Sequence, residues 1–324
     1  MNDSNSFLIK QITEKSLKNT FSFGLLLIHP MNKKVLCFGE VLWDTFGDEK
    51  IAGGAPMNVA RHLVQQGVKA GFASRVGIDE SGNKLVDVLR QNGLYSENTI
   101  QRDETLPTCE VTVQLDDKGQ ATYIIPQPVS WDNIQTAETL TYAAVNSDAI
   151  VFGSLACRTD VTRNTLLNLL DETKALRIFD VNLRAPHYTL STIENLAARA
   201  TVVKMNEEEA RLLIGGSSSA SLKDIIAEFR AKFHPKTICV TRGENGAIIW
   251  HDHDYFEHPG FKVDVVDTVG AGDAFLATFI AGILANEPMA KLLVKACAIG
   301  AFVTNKRGAN PIYDEQEINS IMQS

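Results

Sequence analysis

The chain has 324 residues, 44% of them hydrophobic and 22% charged, with a formal net charge of −8. That length suits one large α/β domain or two smaller ones with a sizeable core, and the composition is ordinary for a soluble globular protein. The acidic balance argues against nucleic acid as the main partner, and no apolar run reaches the roughly 18 residues needed to span a bilayer.

The five cysteines (Cys37, Cys109, Cys157, Cys239, Cys297) are scattered and lie mostly in apolar runs, with no Cys-x-x-Cys pair. They read as reduced core residues of a cytoplasmic protein. Residues 1–30 hold a short apolar run, Phe21 to Ile28, after a lysine-bearing polar segment, but no small-residue cleavage site follows it. The expectation is a poorly ordered N-terminal extension, with the fold proper beginning near Met31, itself a candidate start, and running to 324.

Val35 to Leu42 is a β-rich apolar run and reads as the first central strand. Asp44 then falls just past a strand's carboxyl end, where open α/β sheets bind ligands; a turn carboxylate is the plainer alternative. Gly53-Gly54 enters a helix that stops at Gly67 and carries apolar residues at Val59, Ala60, Leu63 and Val64. Asn58 at its start can cap the helix or present its amide to a hydroxyl-rich ligand. A strand over 72–76 and a helix over 80–91 follow. Thr108 to Leu115, a turn at 116–119 and Ala121 to Ile125 read as a hairpin without a helix. Together with residues near 44–53 it predicts a small sheet standing off the main domain, a lid over the site at about 44–56 and 105–128 and a surface through which two chains could pair.

From Asp148 strands and helices alternate. Strands are expected over 148–152, 177–181, 201–205 and 237–241, and helices over 161–170, 206–214 and 222–233, with an additional strand over 247–250. That alternation implies a mostly parallel, doubly wound sheet flanked by helices. His251, His253 and His258 have no zinc spacing and read as a solvated hairpin.

Asp267-Thr268-Val269-Gly270-Ala271-Gly272-Asp273 then leads from an extended segment with Val263, Val265 and Val266 into an apolar helix over 274–284. Glycines and a helix N-terminus together form an anion site. A carboxylate one residue later would repel a phosphate, but it suits a base that takes a proton from a hydroxyl attacking that phosphate. The plainer alternative is a dipole partner in a first helical turn. A helix over 289–304 and an acidic tail complete the chain.

With both glycine motifs in view, the chain resembles a ribokinase-like sugar kinase of the PfkB family over about residues 33–320. Gly53-Gly54-x-x-x-Asn58-x-Ala60 matches that family's sugar-side motif, and the stretch 267–275 matches its catalytic motif. Asn206-x-x-Glu209 and Thr241-Arg242-Gly243 fall between them in the family's order. The resemblance implies that Asp273 is the general base and that Gly270, Ala271 and Gly272 form the anion hole. It implies that Asp44, Gly53, Gly54 and Asn58 hold the sugar, with Arg184 reaching toward sugar or phosphate. Asn206 and Glu209 would act on Mg²⁺ through water beside ATP, and Thr241 and Gly243 would line the nucleotide cleft. A monovalent cation, K⁺, would take Asp267 with carbonyls of Val269, Val303, Lys306 and Gly308.

The runs 40–44, 128–132 and 180–184 look like the fructokinase branch, with 2-keto-3-deoxygluconate kinase the close alternative and aminoimidazole riboside kinase a remoter one. The implied partners are a small sugar and ATP. A catalytically silent relative would not need Asp273, and a dinucleotide oxidoreductase would carry an early Gly-x-Gly-x-x-Gly that is missing from this sequence.

Overall fold

The computed structural model describes residues 31–47, 49–115, 121–214 and 220–324. The expected extension over 1–30 and the hairpin turn at 116–119 lie outside them. In chain order the strands are β1 (Met31–Phe38), β2 (Leu42–Phe46), β3 (Glu49–Gly53), β4 (Val68–Gly77), β5 (Ile100–Asp103), β6 (Glu110–Leu115), β7 (Ala121–Ile124), β8 (Ala149–Gly153), β9 (Leu176–Asp180), β10 (Val202–Asn206), β11 (Thr237–Thr241), β12 (Ala247–His251) and β13 (Asp254–His258). The helices are α1 (Ala55–Gln65), α2 (Glu80–Gln91), α3 (Glu138–Val145), α4 (Asp160–Glu172), α5 (Leu190–Arg199), α6 (Glu207–Ile214), α7 (Leu222–Phe233), α8 (Ala271–Leu284), α9 (Met289–Thr304) and α10 (Glu315–Gln323).

Nine strands form the main sheet in the order β13-β12-β11-β10-β9-β8-β1-β4-β5. The run from β11 to β5 is parallel, and β12 and β13 return antiparallel at one edge. Successive residues of a strand face opposite sides. Val35 and Cys37 of β1 therefore join a core with α1, α2, α8 and α9, while Leu36 and Phe38 join a second core with α3 to α7. Both faces are covered, which is why the central strands read as continuous apolar runs. All five cysteines are buried and unbridged within these layers.

The first strand departs from the sequence expectation. Residues 35–42 are not one strand: β1 ends at Phe38, Gly39 turns the chain at φ 150°, and β2 begins at Leu42 in a different sheet. A side chain at Gly39 would stand 2.8 Å from the Pro56 ring, so the crossing requires glycine. The second sheet has the order β3-β2-β6-β7, with β2 and β6 parallel and the outer pairs antiparallel. Asp44 consequently lies inside β2, on the small sheet, and not at the tip of β1.

The chain leaves β1 toward β4 on one side, and β8 later flanks β1 on the other. This reversal makes the carboxyl end of β1 the switch point of the sheet, the place where such folds open a crevice. The ends of β9, β10 and β11 and the N-termini of α1 and α8 face the same side.

Candidate active site

Two helix N-termini converge on the crevice. Gly54 caps α1 with φ 117°, and a Cβ there would sit 2.5 Å from the Glu40 carbonyl. Gly270 caps α8 with φ 80°, and a Cβ there would lie within 2.6 Å of the Ala309 backbone and Cβ. Both turns need a residue without a side chain. Turns of this kind leave main-chain N–H groups open, because the first turn of a helix has donors without intrahelical partners and carries partial positive charge. Gly270→Ala is expected to lower stability by about 1–3 kcal/mol, since it combines a left-handed φ with a backbone collision. Chemical denaturation measures it, and an unchanged midpoint would contradict this packing.

Asp273 stands in the first turn of α8, and Asn58 in the first turn of α1. The Asn58 side-chain amide donates to Asp273 Oδ2 at 2.9 Å, so one hydrogen bond ties the two glycine motifs together across 215 residues of sequence. Burial, followed by the Asp180 charge, pushes the Asp273 carboxyl up to about 6; Asn58, Lys204 and Arg184 pull the other way. Asp44 packs its carboxylate over Gly53, where a Cβ would meet Oδ2 at 2.5 Å. Burial pushes Asp44 up to about 6, opposed by Arg184. Arg184 is exposed, and its charge is felt at Asp44, Glu40 and Asp273. Glu40, at the crossing from β1, is buried with one carboxylate oxygen unpartnered, and burial pushes it up to about 7.

Asn206 and Glu209 form a reciprocal cap at the start of α6. The Asn206 N–H donates to Glu209 Oε2 at 2.8 Å, and the Glu209 N–H returns to Asn206 Oδ1 at 2.8 Å. Glu209 Oε1 also accepts from the Leu183 N–H at 2.8 Å, so its first lone pairs hold the ends of β9 and β10 together. Thr241 ends β11, and the exposed Gly243 follows with φ 57°. Asp267 Oδ1 accepts from the Val269 N–H and Oδ2 from the Gly308 N–H, each at 3.0 Å. The loop before α8 is thus tied to the turn after α9, and three of the five residues expected around a monovalent cation are brought into contact. Val303 lies in the last turn of α9 and Lys306 just past it, with the Lys306 N–H donating to the Val303 carbonyl at 2.9 Å.

Sequence reasoning missed three residues. Lys204, in β10, is buried and reaches Asp180 at the end of β9 with its ammonium 3.0 Å from Oδ1. The same ammonium lies 3.3 Å from where a Cβ on Gly272 would stand, directly beside the glycine turn. Burial pulls its pKa down, but Asp180, Glu209 and Asp273 outweigh that and hold it above the usual lysine value, so it stays charged. The signal was available: a lysine inside a buried parallel strand is rare unless paired. Asp180 was visible only as part of the run 180–184. The third, Asn310, donates its side-chain amide to Asn58 Oδ1 at 2.7 Å, and nothing local in the sequence announces it. The histidines at 251, 253 and 258 lie on the β12–β13 hairpin, and no metal-holding group of His, Cys, Asp and Glu occurs among the described residues.

Asp180 Oδ2 is buried without a partner beside Lys204 and Glu209. An orphaned carboxylate oxygen next to the Asn206–Glu209 cap, which adds a second carboxylate and an amide oxygen, suits a hydrated divalent cation, so the donor set fits Mg²⁺.

A family model described as pfkB family carbohydrate kinase matches residues 18–316. The chain belongs to the pfkB family of carbohydrate kinases. Among similar proteins of the family, a probable fructokinase-4 of Arabidopsis thaliana is 30% identical, with 96% of this chain and 98% of that protein covered. An uncharacterized sugar kinase from Pyrococcus horikoshii, solved in complex with ATP, is 27% identical with a TM-score of 0.74 and covers 89% of this chain and 99% of that one. A fructokinase with bound ATP from Xylella fastidiosa shares the fold at a TM-score of 0.79 and 23% identity, covering 90% of this chain and 99% of that one. The ribokinase-like pfkB fold is thus present, with its large mostly parallel sheet and a small separate one.

Proposed function

We propose that this pfkB kinase is a fructokinase that transfers the γ-phosphoryl group of ATP to a primary hydroxyl of fructose. The observation that carries the reading is Asp273 in the first turn of α8, held by Asn58 at 2.9 Å, beside the N–H groups of Gly270 to Gly272. Asp273 takes the hydroxyl proton as the sugar oxygen forms its bond to the γ-phosphorus. The bond from that phosphorus to the β–γ bridging oxygen breaks, and ADP leaves with its electron pair. Negative charge on the transferring group meets the helix N-terminus and the Lys204 ammonium, both fixed before reaction.

Asp44, Gly53, Gly54 and Asn58 line the sugar side, and Thr241 and Gly243 the nucleotide side. Asp180, Asn206 and Glu209 would hold Mg²⁺ through water, where it would neutralise phosphate charge. Asp267 with the 303–308 turn would hold K⁺. The small sheet carries exposed Phe46, Ile51, Tyr123 and Ile124, which supports a lid that also pairs two chains. Five unbridged cysteines support a cytoplasmic setting. Among the described residues no helix is long and apolar enough to cross a membrane.

Fructose is favoured by the runs 40–44, 128–132 and 180–184 and by the similarity to the probable fructokinase-4 of Arabidopsis thaliana. Arg184 favours a second reading, a sugar acid such as 2-keto-3-deoxygluconate, because an exposed guanidinium near Asp44 can pair a substrate carboxylate. ADP release across fructose, ribose, tagatose, glucose and 2-keto-3-deoxygluconate tests both. Highest kcat/KM on fructose supports the first reading; highest kcat/KM on the sugar acid, lost in Arg184→Ala, replaces it with the second.

The base must be ionised to act, and its folded pKa is raised. Activity is therefore complete well above that value and falls as pH drops through it. The acid limb of kcat/KM is expected to have its midpoint near pH 6, where Asp273 is held. A midpoint near 4, the ordinary carboxylate range, would contradict the buried setting of the base.

A further inference from the structure

The base is held by Asn58, and Asn58 is itself held from the far end of the chain. A primary amide can flip, and a flipped Asn58 would present Oδ1 to the Asp273 carboxylate and repel it. Asn310 Nδ2 donates to Asn58 Oδ1 at 2.7 Å, which leaves Asn58 Nδ2 to donate to Asp273 Oδ2 at 2.9 Å. Asn310 Oδ1 is buried and unpartnered, so the bond to Asn58 is the one polar contact of that side chain among the described residues.

Asn310 is also fixed firmly. Ala309 lies against Gly270, and its carbonyl meets His62 Nε2 at 2.9 Å. His62 Nδ1 contacts the Tyr313 hydroxyl at 2.7 Å, and their rings stack. Gln65 of α1 donates from Nε2 to the Pro311 carbonyl and accepts at Oε1 from the Tyr313 N–H, each at 3.2 Å. The segment 309–313 is thus strapped along α1, with Asn310 aimed at the helix turn that carries Asn58.

We propose that Asn310 is a positioning residue for phosphoryl transfer: through Asn58 it sets which atom of the amide faces the base, and so keeps Asp273 aligned and ready to accept the hydroxyl proton. This rests on the assignment of Asp273 as base made above. The C-terminal segment then belongs to the catalytic unit as well as to the packing of α9 and α10.

Two substitutions at this partly exposed position separate the proposal from simple packing. Asn310→Leu keeps the branching and removes both polar atoms. Asn310→Asp keeps the shape, removes the donor and draws Asn58 Nδ2 away from Asp273. Full pH profiles are measured for each with ATP and the best sugar, beside thermal midpoints and the same changes in an Asp273→Asn background.

The expected result is a fall in kcat of about 10-fold for Asn310→Leu and more for Asn310→Asp, with a smaller rise in the sugar KM because Asn58 also lines the sugar side. The acid limb should move upward by about one pH unit, because the base has lost its stabilising donor. Little further loss should occur in the Asp273→Asn background, where the relay has no base to serve. Unchanged kcat and an unchanged limb would overturn the proposal. So would an equal loss in both backgrounds with an unmoved limb, the signature of a structural role. If Asp273→Asn itself retains activity, the base assignment fails, and that is a separate result.

Discussion

Asp273→Asn is expected to lower kcat by about 10²- to 10⁴-fold with the sugar KM nearly unchanged, the range that a positioned general base contributes. The substitution keeps the size of the side chain and lets its Oδ1 accept from the Asn58 amide, so the contact between α1 and α8 survives. What it removes is a carboxylate held near pH 6 by burial and by Asp180. Uniform binding of the sugar would depend on Asp44 and the Gly53-Gly54 turn, which the substitution does not touch. Loss confined to kcat therefore marks an interaction made in the transition state. A kcat within a few-fold of the parent would remove Asp273 from the role of base.

Lys204→Met is expected to have the second large effect, and on two quantities. The ammonium is buried between Asp180 and the glycine turn, and Glu209 and Asp273 add their charges around it. Removing one partner of such a group leaves buried carboxylates uncompensated, at a cost of about 3–5 kcal/mol. Phosphoryl transfer should fall as well, because the fixed positive charge beside Gly272 disappears. Adding Asp180→Asn should restore part of the stability by removing the stranded charge, while activity stays low. Chemical denaturation of the single and double variants measures the first quantity and steady-state turnover the second. A single variant as stable as the parent would contradict the reading of Lys204 as the hub of the charge network.

The legible parts of this chain are those whose chemistry is local. α2, α7 and α9 begin and end where their apolar residues and flanking residues indicate, because α2 and α7 each bury one apolar stripe, α9 is apolar along most of its length, and all three are bounded by turn residues or caps. The Gly-rich turns are legible because a left-handed φ and close approach permit no other residue at Gly54 and Gly270. α3 and α5 escaped notice: α3 is short and leaves Tyr142 exposed, and α5 opens on Ser and Thr residues that also suit loops. The four-residue β5 has no alternation to reveal it. The valines at 265 and 266 suggested an extended lead into α8 and are exposed outside any strand. The acidic tail folds as α10, capped by Asp314 and anchored by buried Ile318.

At the site, residues sharing a motif are legible in the sequence and residues sharing only space are not. Asp273 and Gly270 to Gly272 stand together in sequence, as do Gly53, Gly54 and Asn58. Asn310 lies 252 residues from Asn58 and reaches it because the segment 309–313 is strapped along α1, and Lys204 lies 24 from Asp180 and meets it through the parallel register of β10 on β9. Apolar periodicity also carried the reading straight through Gly39, since the change of sheet there is a backbone event with little mark on the side chains.

The most direct test of the account is the product itself. The protein is incubated with ATP, Mg²⁺ and fructose, and phosphorus NMR follows the transferred group, with Asp273→Asn alongside. The account predicts one phosphomonoester on a primary carbon of fructose, formed in step with ADP and absent with the variant. Phosphate released to water, a phosphoryl group on a secondary hydroxyl, or equal product from the variant would contradict it.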